Sequence, residues 1–317
     1  MEWIFFALTA PLWWAISNVL DKFTLAKLAR GVADFIFFGT IGNALFFVAL
    51  VAVRGIERIP PLLIFYGISA GFLINGAYLF YAKALEKADA SRVAPLFQTI
   101  PIFVLAIAYV FFGEALTRGQ FLGFFVVLAG GFILSLNRSA FNRFKHIRAT
   151  ALSIFVAFAP RVDAGFWWML ASSAVIGVST TFTNYVLEQT SFWTTVTYDS
   201  LGFSLAAISL LVYPPWRKEV FTGLETVTAK KYFWFFLNDA VDLAGHLFYK
   251  FALFLAPAAA LVSVMLGVQP FYLLALGFAV TMIAPSFVRE DISRWALIQK
   301  IFGIAIIFSG IYLIFLL

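Results

Sequence analysis

Apolar stretches of about twenty residues, separated by short polar or turn-forming intervals, recur along the whole chain, and a stretch of that length can cross a lipid bilayer as a helix. Ten can be placed, at residues 3–20, 34–53, 62–83, 93–111, 117–136, 164–187, 193–213, 232–255, 258–284 and 295–317. The breaks carry turn chemistry or charge: Arg54 to Pro61 contains two prolines, Glu86 to Arg92 is charged, Gly113 to Gly119 is bounded by glycines, Tyr213 to Lys231 holds Pro214-Pro215, and Pro285 to Arg294 closes the series. The longest polar interval, 137–163, holds Arg138, Arg143, Lys145, His146 and Arg148 and reads as a basic linker between two halves, 1–136 and 164–317. Its later part, ATALSIFVAFAP, is apolar but too short to span. The pattern predicts an all-α polytopic membrane protein. No basic leader or small-residue cleavage site precedes the first stretch, so it is expected to be a retained helix.

The two halves echo each other. Ser17 to Lys22 (SNVLDK) resembles Asn184 to Gln189 (NYVLEQ), and Tyr81-Ala82-Lys83-Ala84-Leu85 aligns with Tyr249-Lys250-Phe251-Ala252-Leu253. Each run then reaches a proline, Pro101 or Pro270, followed by Gly113-Glu114 or Arg289-Glu290 and by a pair of glycines, Gly123 with Gly130 or Gly303 with Gly310. Two five-helix repeats fit this. Five is odd, so the second repeat enters the membrane from the opposite side and the repeats are inverted. The loops after the odd-numbered segments carry 17 of the 22 lysines and arginines, which by the positive-inside rule makes them cytoplasmic and puts both termini outside.

Composition agrees and excludes a soluble domain, whose charged fraction is about 25%. Of the 317 residues 63% are hydrophobic and only 12% charged, and mean hydropathy is +0.96. With no cysteine there is no disulfide, thiol nucleophile or cysteine-bound metal. The net charge of +6 belongs to the loops, where it meets the anionic leaflet; nothing suggests nucleic acid as a partner.

Against this background the eighth segment stands out. Phe236 to Lys250, FLNDAVDLAGHLFYK, places Asp239, Asp242, His246, Tyr249 and Lys250 in a segment otherwise apolar enough to span. At 3.6 residues per turn positions 239, 242, 246 and 249 share one face. Charge at membrane depth costs about 2.5–3.5 kcal/mol on insertion scales, so such residues usually face a bundle interior or wet cavity and carry function. The opposing reading is that they satisfy buried partners, with Lys250 neutralising one carboxylate. The repeat counterpart on the third segment supplies Asn75, Tyr78, Tyr81 and Lys83. Asn18, Lys22, Asn184 and Asp199 are further polar groups in or beside apolar segments. Asp21-Lys22 and Glu188 read first as interfacial charges; in the sharper reading Lys22 reaches an anionic substrate or a carboxylate of the eighth segment. Pro101 and Pro270 are expected to kink their helices, and Glu114 to act as a cap or turn residue.

The run YAKALEKADASRVAPLFQTIPIFVLAIAYVFFGEALTRGQFLGFFVVLAGG, Tyr81 to Gly131, resembles the EamA-type drug/metabolite transporter superfamily. The likeness lies in the AL-x-x-A-x-A-S run, the helix proline Pro101, the Gly113-Glu114 turn with Leu116-Thr117, and Gly123 and Gly130, joined by Trp13-Trp14-Ala15 with Ser17 and Asn18. The resemblance implies ten helices in two inverted repeats around a central cavity, moving small metabolites, amino acids or organic compounds by alternating access. The second half departs from the pattern: Pro270 to Glu290 is 20 residues where Pro101 to Glu114 is 13.

The site expected on these grounds is Asp239, Asp242, His246, Tyr249, Lys250, Asn75, Tyr78, Asn18, Lys22 and Asp199, with proton coupling through the carboxylates of the eighth segment. A competing class is an intramembrane prenyltransferase, because Asn238-Asp239-x-x-Asp242 resembles the motif by which those enzymes hold magnesium and a lipid diphosphate. The second aspartate-rich motif that this chemistry needs is missing from the sequence. Expected partners are a small-molecule substrate and the bilayer, with a homodimer left open; no cofactor is expected. The expected location is the plasma membrane of a bacterium or archaeon.

Overall fold

The structure, a computed structural model, describes residues 2–87, 94–135, 164–225, 227–273, 275–276 and 294–316. The basic linker 137–163 lies outside them. The chain is an integral membrane protein whose described residues form helices and no strand, and among those residues four stretches are long and apolar enough to cross a bilayer: Glu2–Leu25, Val32–Arg54, Pro61–Ala84 and Phe192–Val212.

In the first half α1 is Glu2–Lys27, α2 Val32–Phe38, α3 Ile41–Arg54, α4 Pro61–Lys87, α5 Ile100–Phe112 and α6 Arg118–Ser135. In the second, α7 is Ala164–Leu187, α8 Phe192–Ser209, α9 Pro214–Glu225, α10 Ala229–Leu255, α11 Ala259–Val264 and α12 Arg294–Leu316.

Three elements differ from the sequence pattern. The stretch 34–53 is broken into α2 and α3 at Gly39-Thr40, where the Gly39 N–H closes α2 on the Phe35 carbonyl at 2.9 Å. Thr40 gives α3 no side-chain cap; a carboxylate from α10 does so instead, as described below. The interval Tyr213 to Lys231 is not a bare turn but holds α9, amphipathic and started by Pro214, a residue that costs nothing where the first N–H groups have no partner anyway. Finally, Pro101 stands in the first turn of α5 instead of kinking a helix from its middle, whereas Pro270 lies inside the helical run Ala259–Leu273. A 3₁₀ turn, Ala94–Thr99 or Met265–Val268, precedes each, and the proline stands just past the point where the wider helix begins. In a first helical turn, as at Pro101, the missing proline N–H breaks no hydrogen bond.

The packing suits lipid. Phe5, Val53, Phe111 and Ile298 are exposed, whereas Ser172, Ser173, Thr181, Thr195 and Asp199 are buried. A bilayer has no hydrophobic drive to join helices, so small and hydroxyl-bearing residues mark the contacts. The Ser172 and Ser179 hydroxyls of α7 donate to the Ala77 and Ala70 carbonyls of α4, at 2.9 and 2.8 Å. One residue number rises as its partner's falls, so the two helices run antiparallel. The same holds for α6 and α12: a Cβ on Gly123 would sit 2.7 Å from the Gly310 carbonyl oxygen, and one on Gly130 3.0 Å from that of Gly303. The other close pairs are α1 with α10 and α4 with α8.

Candidate functional site

A cavity of about 110 Å3 lies where helices of both halves converge. Trp14, Asn18 and Asp21 reach it from α1, and Tyr78 and Tyr81 from α4. From the other half come Thr180 and Thr183 on α7, Asp199 on α8, and Asp242, His246, Tyr249 and Lys250 on α10, with Gln269 beyond α11. Ile74, Ile100, Ile176, Leu253 and Leu266 complete a mostly apolar wall.

Three polar groupings occupy the wall. In the first, His246 Nε2 faces two partners, the Tyr78 hydroxyl at 3.1 Å and Asp242 Oδ2 at 3.3 Å. A proton on Nε2 lets the ring donate to the carboxylate; a lone pair there accepts from Tyr78 and sits comfortably beside Asp242 only if the carboxyl carries the proton. The ring is braced by the Trp14 indole, edge to face at 5.2 Å, and by Phe203 at 6.0 Å.

In the second, Lys250 Nζ lies 2.5 Å from Asp199 Oδ1, and Thr183 donates to the other carboxylate oxygen at 3.3 Å. In the third, Asn238 donates to Asp21 Oδ1 at 2.7 Å while its own carbonyl accepts from Ser17 at 3.0 Å. An ionised Asp21 carboxylate can only accept, which turns the amide NH2 toward it, and the Ser17 hydroxyl then donates to the amide oxygen. On the wall the buried Trp14 indole N–H makes no hydrogen bond, and the Tyr249 hydroxyl lies against Thr180 without a well-formed one.

Of the residues expected from sequence, Asn18, Tyr78, Asp199, Asp242, His246, Tyr249 and Lys250 meet at this cavity. Asp239 and Asn75 do not, and the expectation that they join the cluster is corrected. Asp239 Oδ2 accepts the Gly42 N–H and, at 3.1 Å, the Asn43 N–H, so it caps α3. These are first-turn donors with no partner inside their own helix. Asn75 donates to Thr40 Oγ1 at 3.2 Å and to the Phe203 carbonyl at 2.8 Å, tying α4 to the α2–α3 break and to α8. The face of α10 is one stripe, but its neighbours change along it. The N-terminus of α3 lies at the level of Asp239, and the cavity begins one turn on. The side chain of Lys22 lies outside the described residues.

Asp21 is the cavity residue that reading by hydropathy undervalued. The apolar run fades at position 20, but α1 continues to Lys27, so Asp21 is inside the helix instead of at the interface. Its signal was the spacing from Asn18 and Trp14, which places all three on one face.

Two other polar clusters are structural. Lys231 Nζ bridges both Asp34 oxygens at 2.9 and 2.8 Å and sits 3.9 Å from the Phe38 ring centre. The Arg30 N–H donates to Asp34 at 2.7 Å, and the Asp34 N–H to Glu219 at 3.0 Å, so the pair knits α2, α9 and α10 at one end of the bundle. At the far end Glu114 caps α11 through the Ala259 N–H, at 3.1 Å to Oε2, and accepts from Asn184 at 2.9 Å. The cap expected of Glu114 is thus made to a helix of the other half. Burial pushes the Glu114 carboxyl above its ordinary value, and the Glu188 charge adds to this against the opposing bonds from α11.

A helical bundle with a few charged groups on the wall of a cavity between its halves is the build of a membrane transporter. Residues 1–136 match the model of the EamA-like transporter family, so the resemblance carried by Tyr81 to Gly131 is borne out. An "Uncharacterized transporter in cobO 3'region" of Sinorhizobium sp is 29% identical over 140 residues, 43% of this chain and 97% of that relative. A solved structure known only as "Crystal structure of protein" superposes with a TM-score of 0.64 at 18% identity, covering 99% of this chain and 97% of that one, a likeness of fold.

Proposed function

We propose that the chain is a secondary transporter of ten membrane-crossing helices in two inverted five-helix repeats, moving a small metabolite, amino acid or organic compound by alternating access. The first repeat is 1–136, the second 164–317, and both termini lie outside. The pairing of helices supports the inverted layout: α1 on α10 and α4 on α7 exchange under the repeat correspondence, and α6 lies antiparallel on α12 with the glycine pairs interlocked. A two-fold axis in the membrane plane produces this pattern.

The observation that carries the transport reading is the Asp242–His246–Tyr78 cluster on the wall of a cavity to which both halves contribute. One nitrogen facing a carboxylate and a hydroxyl makes a proton shared between Asp242 and His246 sensitive to what enters the cavity. That suits coupling of solute movement to proton movement. In proteoliposomes with an imposed pH gradient, Asp242→Asn is expected to abolish coupled uptake or release while the protein stays folded and inserted; unchanged coupled flux sinks the assignment.

The prenyltransferase alternative is not favoured. Two carboxylates sharing a magnesium ion must face one another, but Asp239 is engaged with the α3 backbone while Asp242 lies against His246. The family match to residues 1–136 points the same way.

A further inference from the structure

We propose that the cavity selects a solute of net positive charge, an amine whose ammonium sits between Asp21 and Asp242 and whose neutral hydrogen-bond acceptor meets Tyr249 and Trp14. The proposal rests on the transporter reading above and names the class of solute for that same site.

The charge balance of the wall is the first ground. Lys250 is bound to Asp199 at 2.5 Å, so its charge is already matched. The Thr183 hydroxyl takes the remaining Asp199 oxygen. Asp21 and Asp242 are left, one held by an uncharged amide and the other by an imidazole. With Asp21 ionised and the shared proton on the Asp242–His246 pair, whether on the carboxyl or on the ring, the described side chains of the wall sum to one negative charge; without that proton, to two. An anion meets unfavourable charge in either state, and a zwitterion's carboxylate finds its lysine occupied. In a wall of low polarity such imbalance is felt more strongly than in water. The rings of Trp14, Tyr78 and Tyr81 around the two carboxylates add π-faces, which also favour an ammonium.

The second ground is independent of charge. Tyr249 is only 6% exposed and lines the cavity, and its hydroxyl lies against the Thr180 side chain without a well-formed hydrogen bond. The buried Trp14 N–H, on the same wall, makes none. A buried polar group left unpaired is unfavourable, so a cavity that holds an unpaired indole N–H and a poorly bonded phenol fits a visitor that supplies the partner. The indole can only donate and the phenol donates readily, so the visitor offers an acceptor. A carbonyl or hydroxyl serves; a carboxylate is disfavoured by the charge balance.

Four solutes with the same isobutyl side chain separate these requirements: leucinamide, a cation with an acceptor; 3-methylbutylamine, a cation with none; leucine, a zwitterion; and N-acetylleucine, an anion. Binding is read by calorimetry on the purified full chain, and flux in proteoliposomes. Leucinamide is expected to bind about tenfold or more tighter than leucine, and N-acetylleucine not to compete, as a charge-assisted contact of ordinary strength gives. Asp242→Asn and Asp21→Asn should each erase that preference. Tyr249→Phe, which keeps the ring and the fold, should weaken leucinamide by about threefold to tenfold and leave 3-methylbutylamine unchanged. Equal or tighter binding of leucine or N-acetylleucine, or no binding by either cation, overturns the cation assignment and leaves the transporter reading standing. A cation that binds as described yet never crosses the bilayer overturns the transporter reading instead.

Discussion

Lys250 of α10 and Asp199 of α8 form an ion pair at 2.5 Å, with their side chains 10% and 2% exposed. At such burial, removing one partner strands the other charge, at a cost of about 3–5 kcal/mol, whereas removing both at once is often close to neutral. Lys250→Met and Asp199→Asn are therefore each expected to lower stability in detergent by that order, and the double substitution to recover most of it. Thermal unfolding of the four proteins in one detergent reads this directly. If the losses simply add in the double variant, the pair is not coupled as its geometry indicates.

Asp239 and Asp242 stand three residues apart on one helix and should answer differently to the same change. Asp239 caps α3, so Asp239→Ala is expected to cost about 1–2 kcal/mol of stability while a folded fraction keeps its flux. Asp242 faces the cavity, so Asp242→Asn is expected to stop coupled flux with little change in unfolding temperature. A melting curve and a flux assay on each variant suffice. The idea fails if Asp239→Ala proves as transport-dead as Asp242→Asn at equal folding.

That pair also marks how far the sequence could be read. Spans of apolar residues gave the helices, because a bilayer enforces length and composition locally. Polar groups inside those spans gave most of the titratable side chains on the cavity wall, since burying them in lipid is costly wherever the helix sits. What a single helix does not contain is the identity of its neighbour. Asp239 and Asp242 share a face of α10 by periodicity, yet one meets the exposed N–H groups of α3 and the other His246. Asn75 and Tyr78 divide likewise, one bonding the Phe203 carbonyl and the other His246. Asp21 was missed for a different reason: hydropathy marks where a helix leaves lipid, not where it ends. The helix α9 was within reach, for Pro214 followed by the alternation of charged and apolar residues in PPWRKEVFTGLE is a helix-start pattern.

Gly71 and Gly202 set the approach of α4 to α8. A Cβ on Gly71 would land on the Asp199 carbonyl oxygen, and one on Gly202 on that of Ile68, backbone that cannot step aside without separating the helices. Overpacking of this kind costs about 1–3 kcal/mol or more. Gly71→Ala is expected to destabilise the protein by that order and, by moving Asp199, to disturb the Lys250 pair. Gly76→Ala, on the same helix with nothing near its Cβ position, is the control and should be neutral or slightly stabilising. Comparable losses from both would remove close packing as the cause.

Glu114 lies in the turn between α5 and α6, outside the spans, and burial raises its carboxyl above the ordinary value. The folded chain then holds a proton that the unfolded chain has already released, in the window just above the ordinary glutamate range. There the unfolded state binds fewer protons than the native one, so stability falls as pH rises through the window and levels off once Glu114 is ionised in both states. Glutamine keeps an oxygen for the Ala259 N–H but cannot ionise. Relative to wild type, Glu114→Gln is therefore expected to gain in unfolding temperature as pH is raised from about 4 to about 8, with the gain confined to the lower part of that range. Glu188 shares the Asn184 amide with Glu114, at 2.8 and 2.9 Å, so Glu188→Gln should shrink the same slope by removing the neighbouring charge. A difference between wild type and Glu114→Gln that stays constant across the range would show that burial of this carboxyl does not govern the pH dependence.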